Sequence, residues 1–131
     1  MFDRNEMRDL ERELEFLYPP SFVRRIEEIN ALSKTSRFAQ VLPRARLLTS
    51  KADVQMAHEN SLPSGFIPFL AEQQSAHVDY YAFDTLTNSP DFPVLVFADH
   101  AVVKDWDDFD TFYAWLIEHL RCQARIIPAQ P

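Results

Sequence analysis

The residues best suited to chemistry are two imidazole–carboxylate pairs, His77 with Asp79 and Asp99 with His100, and Asp84 between them. Alternate residues of a strand share a face, so His77 and Asp79 point the same way, while Asp99-His100 ends the strand expected beside them. Groups converging from two strands in this way could ligate zinc or iron. The pattern argues against it. There is no helical His-x-x-x-His and no Glu beside such a pair, and an adjacent Asp and His point to opposite faces of a strand. Exposed polar residues at strand ends explain the same letters, and neither a metal nor another cofactor is expected.

Other chemistries fare no better. Cys122 follows His119 by three residues and adjoins Arg121, and a nearby cation can lower a thiol pKa. A single cysteine late in an amphipathic helix is nonetheless read as a packing residue. It also allows no internal disulfide, which points to a reducing compartment. Asp107 and Asp108 are better explained as helix caps than as a general acid and base. The only glycine, Gly65, excludes the glycine-rich loops that cradle phosphates. Arg37, Arg44, Arg46 and Lys51 form a loose basic patch beside Phe38, read as a solvated loop rather than a nucleic-acid site.

Charge supports that reading. Up to Ala57 there are 10 Lys and Arg against 9 Asp and Glu; from His58 onward there are 3 against 11. No Lys or Arg falls between Lys51 and Lys104. A field of one sign repels a phosphate backbone and steers basic partners inward. No nucleic-acid partner is therefore expected.

The elements that must position these residues are legible from spacing. A central stretch opens with the strand Val78–Asp84, passes a turn at Asn88–Pro93 and continues in the strand Val94–Phe97. A short run, Ala101–Val103, leads to a helix over 107–122, capped by Asp107, with Phe109, Phe112, Tyr113, Leu116 and Leu120 on one face. A meander covered on one side by that helix is the simplest way to bury both surfaces. Upstream, Arg4–Leu17 reads as a helix with the stripe Met7, Leu10, Leu14 and Leu17, stopped by Tyr18-Pro19-Pro20. A second helix starts near Pro20 or Ser21 and buries Phe22, Val23, Ile26 and Ile29. Arg37–Leu42 is expected to be a short strand, and Leu47-Leu48 to approach a helix over Ser50–Asn60 capped by Thr49 or Ser50. Ser61–Gly65 reads as a turn whose glycine takes a backbone conformation that other residues resist. Phe66–Leu70 is a short strand placed at an edge or terminus by Pro68, and Ala71–His77 a hairpin loop. Residues 1–131 thus form one domain: a helical part over 4–60, a strand-rich part over 62–105 and a final helix. The charged N-terminus is no secretory signal, no stretch is long and apolar enough to span a membrane, and a cytoplasmic location is expected.

The order of these motifs resembles the SUKH superfamily, which includes the fungal Smi/Knr cell-wall assembly regulators. Tyr18-Pro19-Pro20-Ser21-Phe22 through Ile26 to Asn30 is similar to its Leu-Pro-x-x-aromatic element and following helix. Leu62-Pro63-Ser64-Gly65-Phe66-Ile67-Pro68-Phe69 and Asp79-Tyr80-Tyr81-Ala82-Phe83-Asp84 resemble its two middle strands. Pro93-Val94-Leu95-Val96-Phe97-Ala98-Asp99-His100 and Asp108-Phe109-Asp110-Thr111-Phe112 resemble its last strand and final helix. The fit is weakest over 31–59. Ala31 stands where the family has glycine, and Ser75-Ala76-His77-Val78 where it favours a glycine turn.

The resemblance implies an α+β fold, a mostly antiparallel sheet with helices packed on one side. It also implies a non-enzymatic protein: bacterial members are immunity proteins that neutralise toxin domains, often nucleases, and the fungal branch is regulatory. A cognate toxin or another basic protein is the expected partner, with a regulatory scaffold as the alternative role. The expected interface is an acidic strand-end surface of Asp79, Tyr81, Asp84, Asp99, His100 and Asp105. There carboxylates would meet Arg or Lys and Tyr81 would act as an aromatic anchor. Alternation buries one of the two faces carrying Tyr80, Tyr81 and Phe83, and either choice fits the letters.

Overall fold

The computed structural model describes residues 4–41, 45–48, 50–73, 77–87 and 92–126, with backbone alone at 41 and 121–126. Among them, β1 (Ala45–Leu47), β2 (Phe66–Gln73), β3 (Val78–Asp84), β4 (Val94–Ala98) and β5 (Ala101–Trp106) form one antiparallel sheet in chain order. Five helices complete an α+β fold: α1 (Arg4–Leu14), α2 (Pro20–Leu32), α3 (Ser36–Val41), α4 (Lys51–Glu59) and α5 (Phe109–Ile126).

Alternation along the strands divides the core in two. Tyr81 and Phe83 of β3, with Val94 and Val96 of β4, face the larger cluster built with α2, α3 and α5. Its centre is aromatic: the Phe83 ring stacks on Phe69 at 4.6 Å and meets Phe22 edge-on at 5.2 Å. The intervening Tyr80, Ala82, Leu95 and Phe97 face a smaller cluster with Leu48, Leu62 and Ala57 of α4. Most helices therefore cover one side, and α4 shields part of the other.

Several local expectations change. The first helix ends at Leu14 rather than Leu17, because Glu15 turns to φ +55° and the Phe16 N–H donates to the Glu11 carbonyl at 3.1 Å. Of the expected stripe only Met7 and Leu10 are buried; Leu14 is 37% and Leu17 72% exposed, while Phe16 and Tyr18 turn inward instead. Val23 is half-buried. The expected strand at Arg37–Leu42 is the helix α3 up to Val41; Leu42 lies outside the described residues. Thr35 decides it, its hydroxyl accepting from the Phe38 N–H at 3.2 Å as an N-terminal cap does. Leu47 ends a strand instead of approaching a helix, pairing with Leu70. Ser50 caps α4, accepting from the Asp53 N–H at 3.1 Å; Thr49 is outside the described residues. Ala31 continues α2, which needs no glycine there.

The strand-rich half is longer than expected. β2 reaches Gln73, so Ala71–Gln73 belongs to the sheet rather than to a loop. Pro68 sits where β1 does not reach and where the register slips before Leu70, two places that tolerate a missing donor. That slip lets Phe69 and Leu70 both face the larger core. Gly65 does not adopt positive φ; Ser61 does, at +80°. What Gly65 provides is room, since a Cβ there would stand 2.6 Å from Leu86. β5 extends to Trp106, and Asp108 rather than Asp107 caps α5, accepting from the Thr111 N–H at 2.8 Å and hydroxyl at 2.7 Å. Those bonds hold the Asp108 carboxyl below the usual carboxylate range. Of the expected turn at Asn88–Pro93, residues 88–91 lie outside the described set, as do Ile127 and the tail.

Candidate functional site

On the α4 side of the sheet the cover is incomplete, and a concavity of about 310 Å³ opens between the end of α4 and the β4–β5 hairpin. Tyr80 and Phe97, directly opposite each other across β3 and β4, form its aromatic floor. Asn60, from the C-terminus of α4, forms one wall and donates through Nδ2 to the Tyr80 hydroxyl at 3.3 Å. Gln73 and His77 approach from the β2–β3 end, and Asp99 and His100 close the opposite side. A second hollow of about 230 Å³ shares Asn60, Gln73, Val78 and Tyr80 and runs on toward Arg46 and Asp53, which pair at 3.1 Å.

The hairpin explains the placement of Asp99 and His100. They are the two central residues of a two-residue turn, with φ of +50° and +67°. A turn with both φ positive matches the right-handed twist of the strands it joins, and Asp and His are among the few non-glycine residues enriched in that region. Both side chains are exposed. Among the described residues none forms a hydrogen bond or ion pair with the Asp99 carboxylate.

The remaining expected interface residues do not join them. Tyr81 is a correction: it lies on the face of β3 away from the concavity, buried under Trp106 and Phe112 of the larger core, and is no exposed anchor. Asp79 faces the same helix-covered side, directly opposite Glu72, with the His77 Nε2 at 3.0 Å. Burial, then the Asp79 charge, raises the Glu72 carboxyl pKa; burial also raises that of Tyr81, followed by Glu72 and Asp79. Asp84 lies five residues along β3 from Asp79, roughly 16 Å at strand rise. Its Oδ1 accepts from the Leu86 N–H at 3.0 Å, a turn-forming role. Asp105 is exposed on the edge strand β5, paired in register with Leu95.

Of the six, then, only Asp99 and His100 share the concavity. Asn60, Gln73, Tyr80 and Phe97 were missed. The first two come from element ends that only the fold brings together; the aromatic pair had a signal in alternation, but its phase was open.

His77 pairs with Asp79 while Asp99 and His100 sit in the turn, and among the described residues no three His, Cys, Asp or Glu side chains gather to hold a metal. In the basic patch, Phe38 is core, Arg46 is paired with Asp53 and Lys51 with Glu13 at 2.7 Å; Arg44 lies outside the described residues. Cys122 falls in α5 where side chains are not described. No described helix is long and apolar enough to cross a membrane. Comparisons with family models, curated proteins and solved structures gave no match to this chain.

Proposed function

We propose that this chain is a non-enzymatic, cytoplasmic binding domain of SUKH type, an immunity protein that neutralises a cognate nuclease-like toxin. The observation that carries the reading is the open concavity beside α4, rimmed by the Asp99 carboxylate, which has no partner among the described residues, on the acidic half of the chain. A hollow with one carboxylate at its rim and aromatic residues on its floor, in the acidic half of the chain, suits a basic protein surface, because complementary charge speeds encounter and buried aromatics anchor it. The order of the family-like motifs along an antiparallel meander is consistent with the same reading. The interface is centred on Asp99 and His100, with Asp105 on the adjoining edge strand.

The test is a pull-down from the native host with this protein as bait, washed at low and high salt. A basic nuclease domain that is recovered, and whose activity the bait inhibits, is the expected result. Recovery of regulatory or housekeeping proteins alone would overturn it in favour of a scaffold of the cell-wall regulator type. With the toxin in hand, Asp99→Lys should slow association at low salt, and the difference should shrink as salt is added.

A further inference from the structure

We infer that the concavity between Asn60, Tyr80, Phe97 and Asp99 is a receptor for one arginine side chain of the partner. The inference rests on the binding role proposed above and names what the site recognises. Its volume, about 310 Å³, is at the lower end of the range for ligand sites, suited to a single side chain rather than a nucleotide or cofactor.

The lining supplies what a guanidinium requires. A planar cation packs over aromatic side chains, and Tyr80 and Phe97, although only 6% and 9% exposed, lie side by side on the floor. It donates in a fork to a carboxylate, and Asp99 stands at the rim with no described partner to compete. Its remaining N–H groups need acceptors, and Asn60, whose Nδ2 is given to Tyr80, retains Oδ1 as its acceptor. Other acids are engaged elsewhere: Asp79, on the opposite face of β3, by His77, Asp53 by Arg46, and Asp84, at the far end of β3, by the Leu86 N–H. Among the described residues no Lys or Arg lines the concavity. A lysine would satisfy the charge but not the fork or the stacking.

The experiment is a titration of the ¹⁵N-labelled full chain with Nα-acetyl-arginine methylamide, followed by amide chemical shifts. Saturable shifts centred on Asn60, Tyr80, Phe97 and the Asp99-His100 turn are expected. The neutral citrulline analogue should bind at least about tenfold more weakly, having lost its charge-assisted fork. Asp99→Asn should produce a similar loss while keeping the fold, because Asn is at home at positive φ; Asp84→Asn should change nothing. Absent or unsaturable shifts, equal binding of citrulline or the lysine analogue, or an unaffected Asp99→Asn protein would each overturn the assignment. The probe requires no partner protein. Its failure would remove the arginine receptor and leave the immunity reading standing, whereas a pull-down lacking a toxin would do the reverse.

Discussion

Tyr80 and Tyr81 are consecutive in β3 and equally buried at 6% exposure, yet they serve different surfaces. Tyr81 lies beneath α5, its ring 5.7 Å from Phe112 and 6.3 Å from Trp106, in a core sealed by large side chains. Tyr80 lies on the reverse face, its hydroxyl held by Asn60 at the floor of an open concavity. One face carries the stability of the fold. The other is covered by a nine-residue helix and has room to recognise something. Side chains on the second face can therefore change with less damage to folding, as a binding surface requires.

Truncation tests this division most severely. Phe83→Ala removes a fully buried ring at the centre of the aromatic cluster and should cost about 3–5 kcal/mol in urea unfolding. Phe97→Ala on the reverse face should cost roughly 2 kcal/mol, since the space it vacates opens onto the concavity and can fill with water. Equal losses would erase the distinction between the faces.

Smaller effects sharpen it at the edges. Asp108→Ala removes the cap of α5 and should cost about 1 kcal/mol. Because its native pKa is depressed, the stability Asp108 contributes is present above the ordinary carboxylate range and lost as pH falls through the native value. The wild-type advantage over the variant should thus vanish in acid, as equilibrium unfolding across that range would record. Glu72 has the opposite sign. Its native pKa is raised by burial and then by Asp79, so its ionisation opposes folding: stability is greatest below the ordinary carboxylate range and falls as pH rises through the native value. Glu72→Gln should gain roughly 0.5 kcal/mol at neutral pH and flatten that part of the profile. Asp99→Asn should change stability by less than about 0.5 kcal/mol, which makes it the sharpest probe of recognition alone.

The strands and the last helix were legible in the letters. Val78–Asp84 is β3 as read, because its aromatic and β-branched residues suit a pleated, packed surface. Phe109, Phe112, Leu116 and Leu120 are buried at the expected spacing. Local capping and backbone turns override apolar patterning at two places: Thr35 turns an apparent strand into a helix, and Glu15 ends the first helix early and releases Phe16 from it. The interface was the least legible part, because Asp79, Asp84 and Asp99 look alike in sequence and differ only in what stands opposite them.

By itself the sequence determined the α+β class, the acidity of its second half and the alternation that gives the strands two faces. These depend on residue type and spacing, which act over a few residues. Only the tertiary structure decided which face is sealed. That choice rests on the register slip before Leu70, on helices packing over Tyr81 and on Asn60 at the end of α4 reaching Tyr80, twenty residues along the chain; contacts between distant segments set burial, and no local pattern encodes them.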